Sequence, residues 1–257
     1  MVGVNKGSGS DQGEYIARGN TADVFRKGNR IWKVFKEYLP DGEAHKEAEK
    51  QSLVHSMGVP VPEVYGITSI NGRQAIEMEF LQGDTLGDLF LASPERQQEL
   101  LITSIQIQKK IHSMKVEGLE SMSDKLHNQI TALNDLDESR KERLLEKLTI
   151  QAGGRMLCHG DFHLHNIICT KPEYTIIDWV DATVGSPLAD VSRTYLLYLS
   201  FSRELADRYL DLYCKGSEVD IHDIHQWTPI MAAGRLSEGV ETDDRNRLMD
   251  MITMYTD

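Results

Sequence analysis

The segment Leu157-Cys158-His159-Gly160-Asp161-Phe162-His163-Leu164-His165-Asn166 is polar in its middle and lies between short apolar runs. One run precedes it at 156–157, and two more follow at 167–169 and 176–177. Short apolar runs of this kind predict buried strands. Lys171-Pro172-Glu173 interrupts the later runs, and Pro cannot donate to a strand ladder. The pattern therefore predicts a hairpin with its turn centred on residue 172.

The predicted hairpin brings two oxygen-bearing side chains together. Asn166 and Asp178 each lie six positions from residue 172, so antiparallel pairing makes them face each other. Directly opposed side chains lie about 5 Å apart at Cβ, and a carboxylate and an amide oxygen at that distance suit Mg²⁺. Asp161 stands five residues before Asn166. That spacing is typical of phosphotransfer sites in which the Asp orients the attacking hydroxyl and the Asn holds metal.

Three motifs follow one another in this region: His159-Gly160-Asp161 with Asn166, then Ile177-Asp178-Trp179, then Gly185-x-Pro187-x-x-Asp190. Together they resemble the catalytic segment of the aminoglycoside phosphotransferase and choline kinase-like family, which shares the protein kinase-like fold. The resemblance implies an α+β protein with a small β-rich N-terminal lobe and a larger, mainly helical C-terminal lobe. Residues 1–80 would bind the nucleotide. Residues 81–257 would hold the catalytic loop, the metal site and the acceptor pocket.

A transition-metal cluster is an alternative interpretation of the same segment, because alternating His residues on an extended chain share one face. Its candidate ligands are Cys158, His159, Asp161, His163 and His165. Closed zinc sites usually draw their ligands from two separated pairs, and no second pair is nearby in the sequence. The family resemblance implies instead that His159 packs behind the loop and hydrogen-bonds its backbone. His163 and His165 are either solvated or line the substrate side.

Composition limits the classes of function. The chain has 257 residues, 40% of them apolar, enough for one large domain or two modest lobes. Its net charge of −12 argues against a nucleic-acid partner. Three cysteines without framework spacing fit a reducing compartment. Residues 1–10 lack a signal-peptide core, and no apolar run is long enough to cross a membrane. We expect a soluble cytoplasmic protein, monomeric or homodimeric, without a membrane partner.

The N-terminal region predicts a hairpin followed by a lysine-bearing strand. Residues 16–25 form two strand-like runs about a Gly19-Asn20 turn. In the family this turn lies over the nucleotide phosphates, which implies a contact with Thr21, although an ordinary hairpin has the same pattern. Lys33 lies within the apolar run 30–36, where an unpaired cation is costly, so it is a candidate for the α- and β-phosphates. Lys36, at the end of the run, is the rival, and a surface strand is the alternative for both.

A helix and a second hairpin complete this region. Residues 43–57 are rich in helix formers and predict a helix that ends at Gly58. The helix offers Glu43, Glu47 and Glu49 to Lys33, and the placement most similar to the family selects Glu47; a solvated face is the alternative. Asn71-Gly72 predicts a hairpin turn between strands at 64–67 and 74–80. The resemblance implies that backbone groups from Glu79 to Leu81 contact the adenine.

The rest of the chain predicts helices. Ser93-Pro94 is typical of a helix start, residues 121–150 predict two helices, and Ser186-Pro187 starts another. Asp190 lies in the first turn of that last helix, and the resemblance implies that it braces the loop of residues 159–161. The role of Asp181 is open. An acidic edge near the C-terminus consists of Glu238, Glu241, Asp243 and Asp244. This edge either attracts a cationic alcohol or is simply solvated.

The resemblance implies transfer of the γ-phosphoryl group of ATP, or of GTP, to a hydroxyl of an aminoglycoside-, choline- or sugar-like molecule. Asp161 would orient that hydroxyl, and Asn166 with Asp178 would hold Mg²⁺. Lys33, fixed by Glu47, would clamp the phosphates. The alternatives are a protein kinase, an inactive nucleotide-binding module and a metal-dependent hydrolase. Only eight residues, 179–186, separate Asp178 from the next helix, which leaves little room for an activation segment and favours a small acceptor.

Overall fold

The computed structural model describes residues 13–240 and 244–256. The chain divides into two compact units, the first ending at Gln82 and the second beginning at Gly83. The first unit contains an antiparallel sheet and the second is mainly helical, which confirms the predicted α+β class. The sequence placed the division at residues 80 and 81, and the structure places it at residues 82 and 83.

The first unit is a five-stranded antiparallel sheet in the order β1-β2-β3-β5-β4, with one helix, α1. The bounds of these elements are β1 Glu14–Arg18, β2 Ala22–Lys27, β3 Arg30–Phe35, α1 Glu43–Ser56, β4 Val64–Ile70 and β5 Arg73–Glu79. Asn71 and Gly72 both have positive φ, 52° and 79°, the backbone that a two-residue hairpin turn needs. Both predicted hairpins and the predicted helix are therefore present.

Helix α1 packs its buried residues against the sheet. Ala44 and Ala48 of α1 join Phe35, Ile76 and Met78 of the sheet in one apolar cluster. The buried positions on α1 recur at helical spacing and are Ala44, Glu47, Ala48, Gln51 and Val54. This stripe therefore carries a glutamate on the buried face, where a charge needs a partner.

The second unit contains nine helices and four short strands among the described residues. The helices are α2 Leu86–Ala92, α3 Gln97–Ile111, α4 Met122–Ala132, α5 Glu138–Gln151, α6 Pro187–Phe201, α7 Arg203–Cys214, α8 Ile221–His225, α9 Thr228–Ser237 and α10 Arg245–Thr256. The strands are β6 Met156–Cys158, β7 Ile167–Cys169, β8 Tyr174–Ile176 and β9 Thr183–Gly185. None of the described helices combines the length and apolar character needed to cross a membrane.

Side-chain caps fix where several of these helices begin. Thr85 accepts a hydrogen bond from the Asp88 N–H, and Asp88 reaches back to the Thr85 N–H, so α2 starts with a capping box. Ser121 and Asp137 cap α4 and α5, the two helices predicted within residues 121–150. Pro94 starts a single 3₁₀ turn, and α3 follows it directly.

Candidate active site

Two short strands hold the loop that carries the predicted catalytic residue. Strand β6 pairs with β9 in antiparallel register, with Cys158 opposite Thr183. The loop leaves β6 at His159 and turns at Gly160, which has φ 81°. A side-chain carbon at residue 160 would also collide with the carbonyl oxygen of Asp181. Only glycine therefore satisfies both the backbone conformation and the space at this turn.

Asp190 braces this loop from the first turn of α6. Its fully buried carboxylate accepts hydrogen bonds from the Gly160 N–H at 2.7 Å and the His159 N–H at 3.3 Å. His112 Nε2 lies 2.9 Å from the same carboxylate. Burial acts to raise the pKa of Asp190, but the contacts and charges of His112, His159 and the loop outweigh it and lower that pKa. The predicted brace is confirmed, and His112 is a partner that the sequence did not indicate.

His159 packs behind the loop, as the resemblance implied. The Asp161 N–H donates to His159 Nδ1 at 3.2 Å, and His159 Nε2 lies 3.0 Å from the Ile177 carbonyl oxygen. Its ring lies 4.5 Å from Trp179, centroid to centroid. Both ring nitrogens thus have backbone partners, which argues against His159 as a metal ligand. Within the described ranges, the one set of side chains close enough to share a metal is a different one, His112, Cys158 and Asp190.

Asp161 and Asn166 are in direct contact. The Asn166 amide nitrogen donates to the Asp161 backbone carbonyl at 2.9 Å and approaches the Asp161 carboxylate at 3.3 Å. His163 Nε2 lies 3.5 Å from the same carboxylate. Burial acts to raise the pKa of Asp161, but His163, Arg193 and His159 together hold it well below its usual range. Asp161 is therefore a carboxylate at neutral pH.

The predicted register of the hairpin after Asn166 was wrong by one residue. Strand β7 pairs with β8 so that Ile167 is opposite Ile176, and the Thr170 N–H donates to the Glu173 carbonyl at 3.0 Å. Two residues occupy the turn, so the centre of symmetry falls between residues 171 and 172 instead of on 172. Asn166 consequently bonds to the residue before Asp178, because the Ile177 N–H donates to the Asn166 carbonyl at 3.0 Å.

Asp178 follows immediately, beyond the paired residues of the hairpin. It has φ 66°, an uncommon conformation for a residue other than glycine, and is partly exposed. Asn166 and Asp178 therefore lie at the same end of the hairpin, but they are not the directly opposed pair that the sequence predicted. Their assignment as metal ligands stays a prediction.

Arg193 is a buried residue of the site that the sequence analysis missed. Its Nε donates to the Gly160 carbonyl at 3.1 Å, and its terminal nitrogen lies 2.7 Å from Glu238. Burial acts to lower the pKa of Arg193, but Glu238, Asp181 and Asp161 raise it. The only available signal was its position three residues after Asp190, which places both on neighbouring positions of one helix face.

A small cavity of about 30 Å³ lies beside this arginine. Lys125 and Asp181 line it and form an ion pair at 2.6 Å. Burial acts to raise the pKa of Asp181, but Lys125 and Arg193 outweigh it and lower that pKa. The residue whose role the sequence left open is thus an ionised partner of Lys125.

The predicted acidic edge is largely neutralised where the structure describes it. Glu238 forms ion pairs with Arg193 at 2.7 Å and with Arg235 at 3.0 Å. Asp244 accepts the Arg247 N–H at 3.1 Å at the start of α10. Residues 241 and 243, the other two members of the edge, lie outside the described residues. Glu238 therefore serves to hold Arg193, which does not favour it as a free cation site.

The first unit contains the predicted ion pair between Lys33 and Glu47. Lys33 Nζ lies 2.6 Å from Glu47 Oε1, and the side chains are 12% and 1% exposed. Of the other candidates, Glu43 bonds to Lys46 at 2.7 Å and Glu49 is exposed. The contact explains how a glutamate occupies the buried stripe of α1. The phosphate-binding role of Lys33 stays a prediction.

The rival lysine has a different partner. Lys36 forms an ion pair with Asp23, and Arg73 lies 2.9 Å from the same carboxylate. The hydrogen bond and charge of Lys36, with those of Arg73, lower the pKa of Asp23 against the effect of burial. Lys36 is therefore held at the end of the central strand β3 by a residue that the sequence analysis did not single out.

The other predicted nucleotide contacts of the first unit are Thr21 and Leu81, which lie outside the strands, and Glu79, the last residue of β5. Thr21 follows the β1–β2 turn, and its carbonyl accepts the Lys36 N–H at 2.8 Å. The Glu79 N–H donates to the Glu63 carbonyl at 2.9 Å, and the Phe80 N–H donates to the Asn29 carbonyl at 3.3 Å. The N–H groups of Glu79 and Phe80 are thus already hydrogen-bonded within the first unit. The predicted contacts of Thr21, Glu79 and Leu81 with a nucleotide stay predictions.

The family model described as the phosphotransferase enzyme family matches residues 13–227. The chain belongs to this family. The predicted family and the predicted enzyme class, a small-molecule kinase, are thereby confirmed.

Solved structures confirm the fold of this phosphotransferase-family chain. The apo form of a thermostable mutant of aminoglycoside phosphotransferase APH(4)-Ia is 17% identical, with a TM-score of 0.69 over 95% of this chain and 93% of that one. Choline kinase LicA from Streptococcus pneumoniae is 15% identical, with a TM-score of 0.63 over 94% and 93% of the two chains. At these identities the likeness supports the kinase-like fold and leaves the acceptor open.

Curated relatives of this phosphotransferase-family chain are longer proteins. Human acyl-CoA dehydrogenase family member 11 is 26% identical in an alignment 181 positions long that covers 60% of this chain and 23% of that protein. The rat protein of the same name is 25% identical in an alignment 265 positions long, gaps included, that covers 85% of this chain and 32% of that protein. The chain thus spans about a quarter to a third of the length of these relatives, so their names describe much more than the matched region.

Proposed function

We propose that this chain transfers the γ-phosphoryl group of ATP to a hydroxyl group of a small molecule. The observation that carries the proposal is the contact between Asp161 and Asn166, on a loop braced by Asp190. Phosphoryl transfer asks a protein mainly for positioning and for charge stabilisation. A rigid loop that holds an ionised carboxylate beside an amide meets the first of these demands.

Asp161 would orient the hydroxyl of the acceptor. Its lowered pKa keeps it ionised at neutral pH, so it can accept a hydrogen bond from a hydroxyl group. The same low pKa makes it a weak base, and its main contribution would be alignment of the attacking oxygen. His163, at 3.5 Å, would share the carboxylate with the acceptor.

The residues at the end of the β7–β8 hairpin fit a magnesium ion. Because the Asn166 amide nitrogen is turned toward Asp161, the amide oxygen is the atom suited to a cation. Asp178 adds a carboxylate at the same end, and both are the hard oxygen ligands that Mg²⁺ prefers. When bound, Mg²⁺ would offset the negative charge of the phosphate oxygens.

The first unit, residues 1–80 in the predicted division, would bind the nucleotide. Lys33 would meet the α- and β-phosphates and Glu47 would hold its side chain in place, while Thr21, Glu79 and Leu81 would line the nucleotide. Solved structures of APH(4)-Ia mutants are ternary complexes with AMP-PNP or ADP and hygromycin B. We extend nucleotide use to this chain with ATP as the donor and GTP as the alternative. Residues 81–257 would hold the acceptor.

A small acceptor is favoured over a protein. The segment between Asp178 and α6 contains β9, which is paired along its length with β6. A protein kinase needs a longer segment here to support a peptide. The low pKa of Asp161 and the paired Lys33 also speak against an inactive nucleotide-binding module.

Release of ADP from ATP, or of GDP from GTP, in the presence of Mg²⁺ tests the proposal with a panel of hygromycin B, choline, ethanolamine, simple sugars and homoserine. We expect release that depends on one class of acceptor, with a phosphate monoester of the acceptor visible by ³¹P NMR. Phosphate release without an acceptor would indicate a hydrolase. Phosphate incorporated into an added protein would indicate a protein kinase, and either result would reject the proposal.

A further inference from the structure

A second cavity in the helical unit opens beside the loop of Asp161. Its volume is about 210 Å³, enough for a small organic molecule. Helix α2, the segment after Asp161 and the junction of α6 with α7 surround it. Its walls are mainly apolar and include Phe90, Leu91, Tyr198, Phe201 and Leu205.

The cavity lies one side chain away from the candidate catalytic carboxylate. His163 forms part of its wall, and His163 Nε2 lies 3.5 Å from Asp161 Oδ2. His165 forms the adjacent part of the wall, with its ring centroid 6.2 Å from that of His163. His163 therefore contacts both the cavity and the Asp161 carboxylate.

The charge of the lining favours an uncharged body. The residues that line the cavity in the described part of the chain include no carboxylate, and the two histidines are its ionisable groups other than Tyr198. The nearby Asp88 already lies 3.9 Å from His165 and caps α2. An ammonium group placed here would lose its water without gaining a counter-charge.

The rim of the cavity indicates that it is suited to an apolar ligand. Leu91 and Phe201, on this rim, are 57% and 68% exposed, which is costly in water for two large apolar side chains on one opening. A ligand that covers both side chains would remove their apolar surface from water.

We propose that this cavity holds the apolar body of the acceptor, and that the acceptor is an uncharged alcohol with a hydrocarbon portion. The assignment rests on the proposed function, because it takes Asp161 as the residue that orients the hydroxyl. It also gives the two histidines a common position, between the apolar body and the carboxylate.

Binding of a homologous series of primary alcohols, 1-butanol to 1-octanol, tests the inference on the full chain with Mg²⁺ and AMP-PNP. We expect ligand-observed NMR to show affinity that rises about fourfold for each added methylene until the cavity is filled. Choline should neither show this gradient nor displace 1-octanol.

Two exposed positions allow a matched comparison. Leu91→Ser and Phe201→Ser should each flatten the gradient, with 1-octanol bound about tenfold more weakly. Both side chains lie largely in solvent, so neither change should prevent folding. Ile150→Ser removes an equally apolar side chain, 74% exposed on α5 and outside the cavity, and should leave the gradient unchanged.

ADP release, measured on the same protein variants and alcohols with ATP in place of AMP-PNP, separates the two proposals. A gradient that Leu91→Ser removes, without turnover of any alcohol, would reject the proposed function and still support an apolar alcohol site. Turnover of choline or hygromycin B alone, unaffected by either substitution, would overturn the inference and keep the proposed function. A dimer that dissociates on Phe201→Ser, with no alkanol gradient, would also overturn it in favour of a second copy of the chain.

Discussion

The amide nitrogen of Asn166 donates to the backbone carbonyl of Asp161 at 2.9 Å and lies 3.3 Å from its carboxylate. One side chain thus fixes both the backbone and the charged group of the residue proposed to orient the acceptor. The Asn166 amide oxygen points away from this nitrogen, because both atoms are bonded to the same planar carbon. The contact therefore links the proposed acceptor site to the proposed metal site.

Asp161→Asn should reduce phosphoryl transfer by about 10²–10⁴-fold, because a neutral amide cannot align the hydroxyl as the carboxylate does. Nucleotide affinity should stay nearly unchanged, since no proposed nucleotide contact is removed. ADP release and calorimetric titration with AMP-PNP measure the two effects. Asp223→Asn, an exposed change on α8, is the matched control. A rate near that of the wild type would remove Asp161 from the mechanism.

Asp178→Ala and Asp178→Gly should both weaken binding of Mg²⁺ with ATP, because both remove the carboxylate. They differ in the backbone, since glycine adopts the φ of 66° without strain and alanine does not. Titration of ADP release with Mg²⁺ measures the effect. Equal losses in the two variants support a ligand role, whereas a loss confined to Asp178→Ala would indicate that the backbone turn alone matters.

Lys33→Met should lower nucleotide affinity and also destabilise the first unit, because it leaves the buried Glu47 without its cation. Removal of one partner of a buried pair costs about 3 kcal/mol. Glu47→Gln should be milder in stability and should still weaken nucleotide binding through the loosened lysine. Urea denaturation and nucleotide titration of both variants and the double variant measure the coupling.

Lys46→Met is the control for this pair, because Lys46 contacts Glu43 on an exposed part of the same helix. Exposed pairs contribute little to stability, so we expect no measurable change. Equal effects of Lys46→Met and Lys33→Met would contradict a special role for the buried pair.

Asp190→Asn should destabilise the chain by roughly 2–4 kcal/mol at pH 7, because it removes a buried charge that accepts bonds from the loop and from His112. The pKa of Asp190 is lowered in the folded state. Its contribution is therefore present above the unfolded-state pKa near 3.9 and is lost as the pH falls through the folded-state value.

Urea denaturation at pH 5 and pH 2 checks the sign of this effect, because the loss falls below the unfolded-state pKa. The wild type should lose more unfolding free energy between these values than Asp190→Asn does, because the variant lacks the carboxylate that becomes protonated. An identical pH dependence in the two proteins would show that Asp190 is not a source of the acid sensitivity.

Arg193→Met should lower turnover by about tenfold or more, since it frees the Gly160 carbonyl and leaves Glu238 with a single arginine. Loss of the cation should also raise the pKa of Asp161, so the acid limb of kcat/KM should move to higher pH. Arg235→Met is the control, because Arg235 forms an ion pair with the same Glu238. A pH profile unchanged in Arg193→Met would contradict the electrostatic role.

Much of the fold was predictable because local sequence determined it. Asn71-Gly72 predicts a hairpin turn through its tolerance of positive φ, and the structure has that conformation at both residues. The position of Lys33 in an apolar strand required an anion, and the family resemblance selected Glu47, which forms the ion pair with it. The loop brace by Asp190 followed from the family resemblance.

Long-range partners were not predictable in the same way. The contact of His112 with Asp190 joins α3 and α6, which are distant in the sequence. In the sequence Arg193 is one polar residue among others on a helix. Its role depends on contacts with Glu238 and the Gly160 carbonyl, which are distant in the sequence. Strand β9 is three residues long and is defined by its pairing with β6, so its own sequence carried little signal.

The turn at residues 171 and 172 has a consequence for how this region tolerates insertions and deletions. A hydrogen bond between Thr170 and Glu173 closes the ladder of β7 and β8. The position of Asp178 relative to Asn166 therefore depends on the number of residues in each of the two strands. Side chains on a strand alternate between faces. Lengthening the turn by any number of residues can leave the ladder intact, whereas a single deletion within β8 would rotate Asp178 away from Asn166. Insertions at the turn of this hairpin should therefore be tolerated, and single deletions within β8 should not.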